Sequence, residues 1–368
     1  MTRRHPFHSI CPYFAMFPEE FVAEQLLRHT MRGDLVFDPF CGRGTTVFES
    51  LLQGRRAAGS DINPVAACIA GAKADAPSLA ALLARIDDLE GAMPSGESEP
   101  PTEFFGACFA PKTLHQVLHL RGELDWRLDS VDRFLAAMIL GAIHGESHRS
   151  ELYLSNRMPR TISTKPDYSV RWWAEKGLVA PERDVFEVLR KLAAFRYRMA
   201  PAESPGTVKQ GDAREVAVNF EDMHGAVKLV VTSPPYLDTT DYAEDQWLRL
   251  WFLGGPSKPV ARQHKDDRIT QPPIYWRFLE ESWAGLEPLL DEQAVIVVRI
   301  GGASLTKEDL FEGLLKGLST AMPNRLVKSM SAGTTSNIRP RETSAFRPTA
   351  AKDRVEHDFT FEVARRAA

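Results

Sequence analysis

The feature that most constrains the fold is an apolar run that ends at an acidic residue and is followed at once by two glycines. In the segment DLVFDPFCGRGTTVFES the apolar run ends at Asp38, and Gly42 and Gly44 predict a tight turn. Thr45 and Thr46 then begin a helical pattern. A strand, a glycine turn and a helix in this order present backbone N–H groups to a ligand at the carboxyl end of the strand. The segment therefore predicts a parallel α/β sheet with a ligand site at this turn.

A second acidic residue ends the next apolar run. Asp61, in GSDINP, follows Gly44 by 61 − 44 = 17 residues, a separation at which a carboxylate can bind the hydroxyls of a ribose. The third glycine of a dinucleotide fingerprint is replaced by Val47, so a nicotinamide dinucleotide matches poorly. The alternative is a strand–helix turn without a ligand, which the two glycines and Asp61 together disfavour.

Another apolar run ends in two prolines and a tyrosine, in LVVTSPPYLDTTDY. Prolines cannot donate to a sheet ladder, so they force a rigid, extended exit from the strand. The Pro234 carbonyl is then fixed in direction, Ser233 offers a second acceptor, and Tyr236 offers a flat face. These groups suit a planar ring that carries an exocyclic amine. The alternative is an edge loop that only ends a strand.

Together these segments resemble a known family. DPFCGRGTT is similar to the glycine motif of the S-adenosylmethionine-dependent DNA amino-methyltransferases, and TSPPY is similar to their catalytic tetrapeptide. FPEEFVAEQLL at 17–27 resembles the helix that closes over the methionine end of the cofactor. QGDARE at 210–215 resembles the acidic turn beside the cofactor adenine. The resemblance covers roughly residues 1–75 and 205–300.

The resemblance implies S-adenosylmethionine as cofactor and a direct transfer of its methyl group. Hydrogen bonds from the target amine to Ser233 and the Pro234 carbonyl would make the nitrogen more tetrahedral, so that its lone pair can attack in line. Tyr236 would stack on a flipped base. The expected catalytic residues are Ser233, Pro234, Pro235 and Tyr236. The expected cofactor-binding residues are Phe17, Asp38, Phe40, Gly42, Gly44, Thr45, Thr46, Asp61, Ile62 and Asp212.

The first position of the tetrapeptide bears on the target base. In this family Ser-Pro-Pro-Tyr is usually associated with N4 of cytosine, whereas adenine enzymes more often carry Asp or Asn at that position. We therefore expect a DNA (cytosine-N4) methyltransferase, with N6-adenine methylation and then RNA amino-methylation as alternatives. Methylation at cytosine C5 would need a thiolate, and no cysteine follows the prolines. A catalytically silent DNA-binding subunit is a further alternative, which the intact motifs disfavour.

Seven short β-like runs alternate with helical patterns along the chain, and the helical pattern after the glycine turn spans Thr45–Leu52. The runs are Leu35–Asp38, Arg56–Asp61, Thr207–Gln210, Leu229–Thr232, Ala294–Ile300, Arg325–Met330 and Asp358–Val363. Most are apolar nearly throughout, as in strands covered on both faces, whereas the last, DFTFEV, alternates like an antiparallel strand. We expect a Rossmann-like, seven-stranded methyltransferase sheet whose last strand is antiparallel. Its core would comprise 1–75 and 205–368, interrupted by a large, mainly helical insertion at 76–204. This insertion is the candidate target-recognition region.

Two locally basic segments are candidates for binding nucleic acid. The net charge of −4 argues weakly against a chain that coats nucleic acid along its whole surface, but not against a local basic groove. Segment 148–173 interleaves cations with aromatic residues, and 325–354 is expected to contain a long polar loop before the last strand. A solvated face with core tryptophans is the alternative for the first segment. The expected nucleic-acid contacts are Arg149, Arg157, Arg160, Lys165, Arg171, Arg339 and Arg341.

Neither membrane nor metal chemistry is indicated by the sequence. No apolar run approaches the roughly 20 residues of a membrane span, and the first residues lack the apolar core of a secretory signal. We therefore expect a cytoplasmic location, where the four cysteines stay reduced. HGESH does not match the H-E-x-x-H zinc motif, so no metal is expected. The expected partner is DNA, with RNA less favoured, and the sequence indicates no oligomeric state.

Overall fold

The computed structural model describes residues 4–13, 18–237, 245–260, 271–301, 305–337 and 355–366. The chain forms two compact units. One, the sheet unit, consists of 15–70, 202–241 and 262–368. The other, the helical unit, consists of 1–14, 71–201 and 242–261.

The described strands of the sheet unit form a single seven-stranded sheet. The strands are β1 (Leu35–Asp38), β2 (Arg56–Asp61), β3 (Thr207–Gln210), β4 (Val227–Thr232), β5 (Leu290–Gly301), β6 (Arg325–Asn337) and β7 (Val355–Arg365). Their order across the sheet is β3-β2-β1-β4-β5-β7-β6. The first five strands pair in parallel, and β7 runs antiparallel to both of its neighbours. The predicted Rossmann-like sheet with an antiparallel last strand is confirmed.

Side chains of β1 and β4 alternate between the two faces of the sheet, as the two-residue period of a strand requires. Phe37 and Val230 belong to one buried cluster, whereas Val36 and Val231 belong to another. All four residues of β1 are buried, because helices cover both faces. The helices of this unit include Glu19–His29, Thr45–Leu52, Val216–Asn219, Pro272–Leu286 and Lys307–Ala321.

The strand order reverses at β1. From β1 the chain proceeds outward to β2 and β3, and it then returns to the other side of β1 as β4. Such a switch point opens a crevice at the carboxyl ends of the two central strands, where ligands bind in open α/β sheets. Here those ends are Asp38 and Thr232. The topology therefore brings the two sequence motifs to one place.

The expectation that β6 ends at Met330 and that a polar loop follows is wrong for residues 331–337. β6 continues to Asn337 because β7 offers antiparallel partners along its whole length. The pairing register shifts on both sides of Ser331, and Gly333 has a φ of +96°. An irregularity of this kind absorbs extra residues without ending the strand.

The helical unit has its own buried core. Phe7 packs edge-on against Phe134, with ring centroids 5.1 Å apart, and Arg196 donates to the Pro6 carbonyl at 3.0 Å. These contacts explain why the first described residues belong to this unit. Its helices are Leu79–Gly91, Glu103–Cys108, Pro111–Glu123, Ser130–Ala142, Pro166–Glu175, Val185–Arg196 and Trp247–Phe252, while Pro64–Ala74 begins in the sheet unit. Over the part of the chain that the structure describes, no helix is long and apolar enough to cross a membrane.

Candidate active site

The two glycines after β1 have different structural roles. Gly42 has a φ of +51°, and a Cβ added there would meet nothing within 4 Å. Gly44 has a φ of +73°, and its added Cβ would lie 2.7 Å from the Cβ of Ala70. Gly44 therefore allows close packing of the turn against a helix, whereas Gly42 leaves open space above the turn. Open space beside a turn is what a ligand needs.

Asp61 holds the glycine turn in place. Its Oδ2 accepts a hydrogen bond from the Gly42 amide at 2.9 Å, and its Oδ1 accepts one from the Asn63 amide at 2.9 Å. Burial raises the pKa of the Asp61 carboxyl to about 6, although both amide bonds oppose that shift. A carboxylate has about four acceptor positions, so these two bonds leave room for hydroxyl donors. The neighbouring Ile62 is 53% exposed.

A hydrogen bond joins the two motifs. The Thr232 hydroxyl donates to Asp38 Oδ1 at 2.6 Å, and the Phe40 amide donates to the same oxygen at 3.1 Å. Asp38 is 1% exposed, and burial raises the pKa of its carboxyl to about 7, against the opposing effect of these bonds. Asp38 thus lies at the carboxyl end of β1 as an acid that a nearby cation would help to ionise.

Three further residues of the expected cofactor site surround the turn. The Thr46 hydroxyl donates to the Val231 carbonyl at 2.9 Å and so ties the helix to β4. Thr45 is also buried, as the first residue of that helix. Phe40 is half-buried, and its ring lies edge-on to Phe278 at 5.9 Å. Of these three, Phe40 has the least buried side chain.

Asp212 is engaged with a neighbouring arginine. Its two carboxylate oxygens accept from Arg214 Nε at 3.0 Å and Nη2 at 2.9 Å, and Oδ1 also accepts from the Arg214 amide at 3.0 Å. Arg214 Nη1 donates to Glu281 at 3.1 Å. The Asp212–Arg214 contact in the turn after β3 thus has the bidentate geometry of a strong charge-assisted pair. An adenine beside Asp212 remains a prediction.

The tetrapeptide follows β4 without a break. Pro234 is buried, Ser233 and Pro235 are half-buried, and Tyr236 is 9% exposed. The Tyr236 hydroxyl donates to Glu356 Oε1 at 2.8 Å, and the Ser233 hydroxyl lies 3.4 Å from the Tyr236 hydroxyl. The tyrosine is thus anchored from β7. Whether its ring covers a flipped base remains a prediction.

The basic segment of the helical unit is partly exposed and partly core. Arg157 is half-buried, with its Nε 3.8 Å from Glu146 and its guanidinium 5.9 Å from the Trp172 ring. Trp173 is 2% exposed and donates to the Arg157 carbonyl at 2.7 Å, so it belongs to the core. The expected contact residues whose side chains are exposed are Arg149, Arg160, Lys165 and Arg171.

One buried arginine organises that segment. Arg249 is fully buried and donates to the carbonyls of Leu140 at 2.9 Å, Arg160 at 2.8 Å and Thr161 at 3.3 Å. Nearby, the Ser163 amide donates to the Asp245 carbonyl at 2.7 Å. The helix Trp247–Phe252, which follows the tetrapeptide in sequence, therefore fixes the backbone of the basic segment.

Some expected residues cannot be placed, and some contacts were not expected. Phe17, Arg339 and Arg341 lie outside the described residues. Thr232 and Glu356 form hydrogen bonds with expected site residues, although no role was predicted for either of them. Thr232 had a signal, because it directly precedes the tetrapeptide. Within the described ranges, no group of three or more histidine, cysteine, aspartate or glutamate side chains could hold a metal ion.

A comparison with known protein families matches the part of the chain that contains the glycine motif. Residues 3–70, which contain β1, the glycine turn and Asp61, match the N6/N4 methyltransferase family, described as DNA methylase. Over these residues the chain resembles the DNA methylases. The match does not reach the tetrapeptide or the insertion at 76–204.

Two curated methyltransferases align with short segments of this chain. The type II methyltransferase M.MjaII of Methanocaldococcus jannaschii is 39% identical over 66 residues, which are 18% of this chain and 12% of that protein. The orphan methyltransferase M.BamHII of Bacillus amyloliquefaciens is 41% identical over 49 residues, which are 13% of this chain and 18% of that protein. The alignments thus span less than a fifth of either relative.

Solved structures are more distant. The rRNA methyltransferase aviRa from Streptomyces viridochromogenes aligns with 94% of this chain and 86% of its own, at 14% identity and a TM-score of 0.33. M. jannaschii TYW2 in complex with AdoMet aligns with 96% of this chain and 80% of its own, at 9% identity and a TM-score of 0.34. We draw nothing from scores this low, and the fold rests on the strand order.

Proposed function

We propose that this protein transfers a methyl group from S-adenosylmethionine to an exocyclic amine of a DNA base, with N4 of cytosine as the favoured target. The observation that carries the proposal is the 2.6 Å hydrogen bond between Thr232 and Asp38. It joins the residue before the Ser-Pro-Pro-Tyr turn to the residue that begins the DPFCGRGTT motif. A methyl donor bound at one motif would therefore lie beside an amine held at the other.

The residues around the glycine turn suit this cofactor. The space above Gly42 is where a Cβ would meet no neighbour, so the backbone can approach a ligand closely. Asp61 would accept hydrogen bonds from the ribose hydroxyls, and Phe40 would contact the adenine. Burial raises the pKa of the Asp38 carboxyl to about 7. The cationic methionine end of the cofactor would favour the ionised form of that carboxyl. When bound, the cofactor supplies an electrophilic methyl group on a sulfonium.

The tetrapeptide residues would orient the amine. Ser233 Oγ and the Pro234 carbonyl can each accept one amine hydrogen, which favours a tetrahedral nitrogen and aims its lone pair. Ser233 and the Pro234 carbonyl would hold the amine toward the methyl group that the bound cofactor would supply, and the proton that the methylated nitrogen loses would pass to water. No covalent bond to the protein is required. Tyr236 would limit the tilt of the base.

The target base and the recognition region complete the proposal. Serine at the first tetrapeptide position supports cytosine N4, and adenine N6 is the alternative within the same chemistry. The exposed cations of segment 148–173 support a role for the insertion at 76–204 in binding the DNA phosphates. The sheet unit would carry the methyl transfer.

The test is a methylation assay that identifies the product nucleoside. The protein is incubated with labelled S-adenosylmethionine and, separately, duplex DNA or RNA, and the digested product is analysed by mass spectrometry. N4-methylcytosine in DNA is expected, and Ser233→Ala should lower its formation while retaining cofactor binding. N6-methyladenine would correct the base, and methylated RNA alone would overturn the DNA assignment. Absence of any methylated nucleoside from the wild-type reaction would refute the proposal.

A further inference from the structure

The strand β7 contributes a carboxylate to the tetrapeptide. Glu356 Oε1 accepts the hydroxyl of Tyr236 at 2.8 Å, across 120 residues of sequence. Burial raises the pKa of the Tyr236 phenol well above its usual value, and the Glu356 carboxylate raises it further. The phenol therefore stays protonated and acts as the donor. A hydrogen bond to an ionised acceptor is stronger than one between neutral groups.

Glu356 is itself held by a buried ion pair. Arg299 of β5 donates to both carboxylate oxygens of Asp358, at 2.6 and 2.8 Å, and its Nη1 lies 4.0 Å from Glu356 Oε2. Asp358 also accepts from the Thr334 hydroxyl at 3.2 Å. Because Glu356 and Asp358 are two positions apart on β7, their side chains project from the same face. The same guanidinium lies 3.8 Å from the Phe21 ring centroid.

We propose that Glu356 is a positioning residue that fixes the Tyr236 ring, and with it the Ser233–Pro234 backbone, for the amine. This inference rests on the proposed function. The hydroxyl oxygen lies on the axis of the second of the two rotatable side-chain bonds, so a hydrogen bond there fixes the first bond and thereby the direction in which the ring points. A fixed ring next to two prolines leaves the tetrapeptide few conformations. Glu356 acts through Tyr236 and touches no substrate.

The experiment compares two replacements of the same residue. Glu356→Gln keeps an oxygen that can accept the phenol hydrogen, whereas Glu356→Ala keeps none. In single-turnover methylation at saturating DNA and cofactor, we expect about a tenfold slower rate for Glu356→Ala and a rate within about threefold of wild type for Glu356→Gln. Cofactor affinity, measured by calorimetry, should be unchanged in both. Glu362→Ala, on the same strand, is the matched control.

A double-variant cycle checks that the effect passes through the tyrosine. Tyr236→Phe removes the hydroxyl and keeps the ring, so it should slow the reaction about as much as Glu356→Ala. Tyr236→Phe combined with Glu356→Ala should be no slower than either single variant, because both remove the same bond. Additive effects would overturn the inference, as would a wild-type rate for Glu356→Ala.

The remaining outcomes separate this inference from its rivals. If Glu356→Gln is as slow as Glu356→Ala, the carboxylate accepts a proton in the reaction, and the positioning role is wrong. If both variants lose cofactor affinity, Glu356 supports the fold in general, and the positioning role is again wrong. If the wild-type protein methylates no base, the proposed function is wrong, and this inference, which rests on it, is wrong as well.

Discussion

The hydroxyl of Thr232 and the carboxylate of Asp38 share a buried hydrogen bond of 2.6 Å, although 194 positions separate them in sequence. Thr232 ends β4 and Asp38 ends β1, which are adjacent in the sheet. The bond therefore sets the distance between the turn after β4 and the turn after β1. Both side chains are buried, so water does not compete for it.

Removing that hydroxyl should weaken both stability and catalysis. Thr232→Val keeps the shape of the side chain but removes the hydroxyl that donates to Asp38. The loss of this hydrogen bond should lower the free energy of unfolding by about 1–3 kcal/mol. Thr232→Ser retains a hydroxyl and serves as the control. Denaturant unfolding measures the stability, and single-turnover methylation should fall for the valine variant more than for the serine variant. Equal stability of the two variants would show that the bond contributes little.

The space above Gly42 should be required for cofactor binding. Gly42→Asn places a side chain in that space, and asparagine tolerates a positive φ better than other residues with a Cβ. We expect the thermal midpoint to change little and the affinity for S-adenosylmethionine to be lost in calorimetry. Gly225→Asn is the control, because Gly225 also has open space and a φ of +69°, but precedes β4. Unchanged affinity in the Gly42 variant would remove this turn from the cofactor site.

Asp61 should contribute directly to cofactor affinity. A charge-assisted hydrogen bond to a ribose hydroxyl contributes about 1.5–3 kcal/mol, so Asp61→Ala should weaken binding about tenfold or more. The variant also removes the acceptor of the Gly42 amide, so stability is measured alongside. Asp222→Ala removes the same charge from an exposed turn of the sheet unit and should bind normally. A cofactor complex with the ribose far from Asp61 would disprove this contact.

Stability should decline as pH rises toward neutrality, and Asp38 should account for much of that decline. Its pKa is raised from 3.8 to about 7, so the folded state keeps a proton that the unfolded state releases. The stabilisation is complete below the unfolded pKa and is lost as pH rises through the folded pKa. Asp61, with a pKa of about 6, acts in the same direction. In urea unfolding between pH 4 and pH 7, Asp38→Asn should show a flatter dependence than wild type, whereas parallel curves would contradict the raised pKa.

The cations of segment 148–173 should carry the electrostatic part of DNA binding. Replacing Arg157, Arg160 and Arg171 together by glutamine should weaken binding and reduce the slope of log affinity against log salt by about 2–3. The control replaces Lys112, Arg190 and Lys191, which lie outside the segment in sequence and pair with Asp184, Asp87 and Glu187. Titration of labelled duplex at several salt concentrations measures both sets. If the control set reduces the slope equally, binding is not localised in this segment.

Local sequence patterns predicted the position of the glycine turn, and the bounds of the helix after it, with single-residue accuracy. The helix begins at Thr45 and ends at Leu52 as expected, because Gly44 can adopt the left-handed conformation that ends the turn. β1, β2 and β3 also have the predicted bounds. In each case the information lies within about ten neighbouring residues, so hydrophobic period and glycine positions suffice.

Contacts between distant segments could not be predicted in the same way. Glu356 reaches Tyr236 because β7 pairs with β5 in a particular register, and no local pattern encodes which residues become opposite. The helix Pro111–Glu123 was also missed, although its proline at the first helical position is a typical start signal. Its polar and apolar residues are mixed, so the helical periodicity of its hydrophobic residues is weak. Arg249, a charged residue that is fully buried, is likewise explained by distant acceptors, the carbonyls of Leu140, Arg160 and Thr161, together with the Gln246 side chain.

The placement of β7 has a consequence for synthesis on the ribosome. β6 is synthesised before β7. Among the described strands β6 pairs with β7 alone, so it has no partner in the sheet until β7 has been synthesised. During that interval β5 presents an unpaired edge, and exposed edges recruit strands from other chains. The Tyr236 hydroxyl likewise lacks its acceptor, Glu356, until 120 further residues have been synthesised. Nascent chains halted before Val355 should therefore contain a folded glycine turn and an open β5 edge, and they should aggregate more readily than chains released beyond β7.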